Sequence, residues 1–274
     1  MSIQSPVDAF RTLALCSIVA LLGVAGCKSD PAARTSESNN QGVSQTASAP
    51  STPVPVAAPV DPAQAGTIAG IVHFAGTPPA RVPIDMSMDP ACSFGGDYQS
   101  EQYVVSKGGL ANVFVYVKAG LPPSAAPPGS APVHIDQHGC RFIPHVAAVQ
   151  QGGSVSFTNS DPTMHNIHTL TVASNPSIDV SQGPGAQPQV RQFNAPETML
   201  SIRCNNHPWM NGFLSVAPNA FFAVTNVDGT FTITGLPPGT YTLAAVHEKL
   251  GEQDTQVTVA PHSIAKPGFT FSMH

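Results

Sequence analysis

Met199-Leu-Ser-Ile-Arg-Cys204-Asn-Asn-His207-Pro-Trp-Met210-Asn-Gly-Phe-Leu-Ser-Val216 reads as strand, tight loop, strand. Leu200, Ile202 and Cys204 fall on one face by the two-residue period of a strand, so the thiol points inward where the first strand ends. The loop then carries an imidazole and a thioether three and six residues further on. A soft thiolate, an imidazole and a thioether in C-x-x-H-x-x-M are the donor types that suit copper, which favours a trigonal His2Cys plane with a weak axial Met. The second imidazole is expected from Val155-Ser-Phe-Thr-Asn159-Ser-Asp-Pro-Thr-Met164-His165-Asn166-Ile167-His168, a strand, a turn and a histidine entering the next strand.

The remaining candidates rank below this set. His168, three residues after His165, points to another side of its strand and reads as a polar partner. His145 lacks a soft neighbour and reads as a surface or hydrogen-bonded histidine, and Met164 reads as a packing residue. Zinc is the rival metal, but structural zinc sites take Cys, His or carboxylate without a thioether. With 10 His and 7 Met in 274 residues, the C-x-x-H-x-x-M spacing around five Cys arises by chance about 0.005 times.

Composition agrees with a β protein. The chain is 42% hydrophobic and 10% charged, with 28 Pro and 23 Gly, which argues against a helical bundle or coiled coil. A formal charge of -5 with no basic run leaves no electrostatic footprint for nucleic acid. No G-x-S-x-G, P-loop, H-E-x-x-H or G-x-G-x-x-G stands in context, and a metal with four protein ligands leaves no open position for a substrate, so an enzyme is not expected.

The N-terminal part reads as export machinery. Residues 13–26 form an uncharged apolar run of the length of a signal-peptide h-region. Val24-Ala25-Gly26-Cys27 resembles the bacterial lipobox, which implies a signal peptide over 1–26, lipidation at Cys27 and attachment to the cell envelope on its periplasmic side. Lys28 after the cysteine leans towards the outer membrane by the same resemblance. Residues 27–65 hold Ser, Thr, Ala, Pro, Asn and Gln without a single aromatic, too little apolar surface to offset ordering entropy, and read as a disordered tether. Of five cysteines, Cys16 leaves with the signal and Cys27 is the anchor. Cys204 has ligand-type neighbours, so Cys92 and Cys140 are expected as a disulfide.

The stretch from Gly139 to Val216 resembles the cupredoxins, the plastocyanin- and amicyanin-like blue copper family. The likeness rests on Phe142-Ile-Pro144, Gly152-Gly153-Ser-Val-Ser-Phe, His165-Asn166-Ile-His168 and Cys204-x-x-His207-Pro-x-Met210. It implies a Greek-key β-sandwich, one mononuclear Cu(I)/Cu(II) held by His165, Cys204, His207 and Met210, and an Asn166 that ties the two ligand loops by hydrogen bonding. It further implies that His207 reaches the surface as the electron port for transient redox partners. Trp209, beside His207 and Met210, is expected either in an apolar collar at the metal or in the core.

Downstream, Phe221-Phe-Ala-Val-Thr-Asn-Val-Asp228-Gly229-Thr-Phe-Thr-Ile-Thr-Gly235-Leu-Pro-Pro-Gly239-Thr-Tyr-Thr-Leu243 alternates apolar and polar residues between turn clusters, the pattern of hairpins. It resembles the carboxypeptidase regulatory-like sandwich, whose first strand looks like Gly66-Thr-Ile-Ala-Gly70-Ile-Val-His-Phe-Ala-Gly76. The expected layout is therefore all-β. A small discontinuous sandwich is built from 66–120 and 217–274, with a cupredoxin over 121–216 between its halves. The functions in view are a membrane-tethered electron carrier, a copper delivery, storage or detoxification protein, and a metal-free cell-surface module.

Overall fold

In the strand Thr230–Leu236 the side chains of Phe231 and Ile233 are buried while Thr232 and Thr234 face solvent, so the alternation in the sequence is the alternation of the pleat. The computed structural model describes residues 62–93, 96–122 and 131–273; the expected signal peptide, Cys27 and the tether up to residue 61 lie outside them. The described residues form an all-β molecule of four sheets.

Two sheets draw their strands from the ends of the described chain. In one, Gly66–Ala75 pairs antiparallel with Thr230–Leu236 and with the short Gly109–Leu110, and parallel with Gly268–Ser272. In the other, Gly239–His247 lies between Phe114–Ala119 and Gly251–Val259, with Phe222–Val224 at the edge. Ile68, Val72, Val115, Val117, Phe231, Tyr241, Leu243 and Phe271 form their shared core. The turn at Asp228-Gly229 brings Gly229 to a φ of 80°, a left-handed conformation that favours glycine. It packs against the backbone of Val72 and Gly109, where a side chain has no room.

The other two sheets come from residues 133–217. The first runs Asp179–Gln182, His165–Leu170, Glu197–Arg203, Asn211–Ala217 and Val146–Gln150, antiparallel except for the last pair. The second runs Gln189–Gln192, Ser154–Asn159, Val133–Gln137 and Phe142–Ile143. Between them Ile135, Phe142, Phe157, Ile167, Phe193, Leu200, Ile202 and Leu214 close a core that also takes in Cys204 and Met210. Because Glu197–Arg203 is the central strand, the start of one neighbour, His165, and the start of the other, Asn211, both meet its Cys204 end.

The two pairs of sheets share a third apolar cluster, in which Phe114, Tyr116, Ala244 and Val246 meet Ala217, Ala148 and Met199. Beside it, His145 Nε2 lies 2.7 Å from Glu248 Oε1, and both side chains are buried at 5% and 1% exposure. His145 is thus neither a surface residue nor a ligand but half of a buried pair that bridges the two halves of the molecule. A buried pair broken on one side leaves a charge without compensation. Here Lys249, 4.0 Å away and half exposed, is too distant to replace the imidazole at the carboxylate. His145→Leu is therefore expected to lower the unfolding free energy in urea by about 3 kcal/mol, while His145→Leu with Glu248→Leu restores most of the loss. A neutral single substitution would contradict that reading of the pair.

Candidate metal centre

Cys204 follows directly on the strand Glu197–Arg203, and Met210 directly precedes Asn211–Ala217. The loop between them closes on itself: the Cys204 amide donates to the Met210 carbonyl at 3.0 Å, and the Met210 amide to the His207 carbonyl at 2.9 Å. These two bonds hold His207 over the sheet end. His165 arrives from the adjacent strand, whose next residue, Asn166, donates its backbone N–H to Cys204 Sγ at 3.2 Å. The Asn166 side chain instead donates to Ser181. The tie between the ligand loops at this position is thus made by the backbone amide.

Three donor atoms converge. His165 Nδ1 and His207 Nδ1 are 2.9 Å apart, and Cys204 Sγ lies 4.0 Å from the first and 3.5 Å from the second. All three side chains are buried, and Met210 is buried in the same core. Three lone-pair donors facing one another within 4.8 Å are a donor set for a soft or borderline cation, so the residues fit copper. The outer nitrogen of each imidazole is fixed by a carboxylate. His165 Nε2 is 2.9 Å from Asp161 Oδ2, and His207 Nε2 is 2.9 Å from Asp89 Oδ2. Hydrogen bonds of this kind fix the ring orientation and tautomer and raise ligand basicity.

Both carboxylates are built into the frame. Asp161 sits in a turn where Asn159 Oδ1 accepts its N–H, and its oxygens accept the amides of Gly139 and Cys140 at 2.7 and 2.8 Å. Asp89 precedes the short helix Pro90–Ser93, accepts the Ala91 N–H through Oδ1 and the Thr163 hydroxyl through Oδ2. Cys92 and Cys140 are joined in a disulfide, which ties the Asp89 turn to the Asp161 turn. Trp209 packs with that disulfide, Met86 and Tyr98, and its ring centroid is 5.1 Å from that of His207.

Charge follows from this geometry. Burial opposes ionisation of Cys204, but the hydrogen bonds from His165, the Asn166 and Asn206 amides and His207 outweigh it and pull the thiol down to about 6. Burial likewise opposes a charge on His165, yet Asp161 and the Cys204 sulfur push it up to about 9. Asp89 is held below its ordinary value, chiefly by His207 and the Ala91 amide.

The expected electron port is overturned. His207 is only 3% exposed, and its Nε2 is bonded to Asp89 rather than open to solvent. An exposed electron port at this imidazole is excluded because the 85–93 segment is folded over it. The other single residues fall plainly: His168 Nδ1 donates to Asn205 Oδ1 at 2.7 Å, and Met164 is exposed rather than packed. Asp161 and Asp89 were not found from the sequence. The Asn159-Ser-Asp161-Pro turn four residues before His165 is a usable signal for the first. For the second, the signal is the Cys92–Cys140 pairing, which brings residue 89 to a site 118 positions away.

No protein-family model matches the sequence, and no curated protein matches it. Among solved structures, a purple cupredoxin from Nitrosopumilus maritimus shares 20% identity at a TM-score of 0.26, covering 31% of this chain and 98% of its own. A reduced amicyanin variant shares 20% at 0.28, covering 35% and 97%. A copper-containing nitrite reductase from Thermus scotoductus shares 19% at 0.29, covering 53% of this chain and 28% of its own. With TM-scores this low, what the site can do is decided by its own geometry.

The paired shifts give a sign to the pH dependence of the metal-free chain. The contribution of the Cys204 thiolate to stability is full above its ordinary value of 9.0 and is lost as pH falls through about 6. That of the His165 imidazolium is full below 6.5 and lost as pH rises through about 9. Thiolate ultraviolet absorption of the metal-free protein is expected to disappear near pH 6; persistence of a protonated thiol up to pH 9 would contradict the arrangement.

Proposed function

We propose that this chain is a copper protein in which His165 Nδ1, Cys204 Sγ and His207 Nδ1 hold one ion in a trigonal set, with the Met210 thioether as the weak axial donor. The observation that carries the reading is the convergence of the three donor atoms at the buried end of one sheet. Copper supplies one-electron chemistry, cycling between Cu(I) and Cu(II). The chain's part is to keep the donors still. The self-closed 204–210 loop, the Asn166 amide on the sulfur and the two carboxylates on the outer nitrogens leave little to rearrange when the charge changes.

The leading function is a single-electron carrier between protein partners, tethered to the cell envelope through Cys27. The Asp89 cover over His207 is the specific observation favouring the second reading, copper delivery or storage, because it closes the imidazole that would face a redox partner. The strand pairings between 66–75 and 230–236 support a layout in which the 66–120 and 217–274 pieces form one sandwich around the 121–216 insert. No catalytic step is assigned to this site.

Adding Cu(II) to the full chain is expected to give an intense visible thiolate-to-copper band that Cys204→Ser abolishes. Reversible one-electron voltammetry of the loaded protein is the outcome expected of a carrier. Stoichiometric Cu(I) without a reversible wave would assign delivery or storage instead, and no stoichiometric copper would end the proposal. Labelled fatty acid is expected to enter the wild-type chain in an exporting bacterial host and to be lost on Cys27→Ala; equal labelling of both would contradict the anchor.

A further inference from the structure

Two clefts reach the donor cluster, and they differ in chemistry. One, of about 480 Å³, is lined by Cys204, Pro208, Arg203 and Lys249, with Glu248 already engaged by His145. Two cationic side chains at its wall repel a metal cation. The other, of about 310 Å³, is lined by Met88, Met164, Asp89, Thr163 and His207. Met88 and Met164 are 74% and 49% exposed. Both keep much of their thioether surface in solvent at the mouth of one cleft, with a carboxylate and the His207 ring behind them, so their sulfurs are accessible to a ligand. Thioethers are soft, neutral donors that prefer Cu(I) to the harder divalent ions of an aqueous compartment, and the Asp89 carboxylate draws a cation inward.

We propose that the cleft rimmed by Met88 and Met164 is a second, weaker site selective for Cu(I), through which the ion enters the His165, Cys204 and His207 cluster. This inference rests on the copper reading above. The ion stays monovalent throughout: its bonds to the two thioethers break as bonds to Cys204 Sγ and the two Nδ1 atoms form, and the proton shared among those three donors leaves to solvent. The Asp89–His207 hydrogen bond lies along this route, so the cover over His207 is also the wall of the entrance.

The test is a titration of the full chain, labelled at its methionine methyl groups, with Ag(I) as the diamagnetic stand-in for Cu(I), followed by NMR. The first equivalent is expected to shift Met210. The next is expected to shift Met88 and Met164 together, while Met273, 50% exposed but outside the cleft, stays unmoved. Met210 shifting while Met88 and Met164 remain fixed would overturn the entry site and leave the copper reading intact. Met88 and Met164 shifting in step with Met273 would also overturn it, as unselective thioether binding. Met88 and Met164 shifting while Met210 never moves would sink the copper reading and, with no filled cluster to feed, the entry role of the rim with it. In a second measurement, transfer of Cu(I) from a coloured bicinchoninate complex is expected to slow several-fold in Met88→Leu, which removes one of the two soft donors, with the final stoichiometry unchanged. An unchanged rate would contradict the role of the rim.

Discussion

Two imidazoles with their Nδ1 atoms 2.9 Å apart, facing a buried sulfur, are an arrangement that a protein does not keep unless other groups hold it. Here the holding is done from behind. Asp161 grips the outer nitrogen of His165 and Asp89 that of His207; the Asp161 carboxylate is itself held by the Gly139 and Cys140 amides, and that of Asp89 by the Ala91 amide and the Thr163 hydroxyl. The Cys92–Cys140 disulfide makes one bracket of the two. Asp161 accepts the amide of Cys140, Cys140 is bonded to Cys92, and the Cys92 amide donates to the Asp89 carbonyl. The donor set is thus fixed by a closed chain of contacts that does not include the metal.

The same bracket explains why the site is covered. The segment that supplies Asp89 packs Met86 and the disulfide against Trp209, so closing the frame and closing His207 off from solvent are one structural act. The cost of this closure is access, which the proposed thioether-rimmed entry would restore. For the proposed carrier, electrons would have to pass through packed side chains, since no imidazole edge of the cluster is open to solvent.

Much of the fold was legible because it is written in short periods. The alternation of Phe231 and Ile233 with threonines, the Asp228-Gly229 turn and the strand, loop, strand pattern around Cys204 are all local signals, and burial follows them residue by residue. The meeting of Cys204 and His207 was legible for the same reason: C-x-x-H lies in one loop. What was not legible depends on distance along the chain. Asp89 meets His207 across 118 residues and Glu248 meets His145 across 103, and neither carboxylate has a local pattern that marks it. For His145 the sequence left a surface and a hydrogen-bonded position both open, because a lone histidine beside a strand carries no sign of the partner that another sheet will bring; the structure shows the hydrogen-bonded one. The exposed His207 expected from the family resemblance failed because the covering segment belongs to a part of the chain that the resemblance does not include.

X-ray absorption at the copper edge of the loaded full-length protein tests the central claim most directly. The account predicts one sulfur and two imidazole nitrogens in the close coordination shell, with the sulfur lost in Cys204→Ser. A shell of nitrogen and oxygen alone in the wild type, unchanged by that substitution, would contradict it.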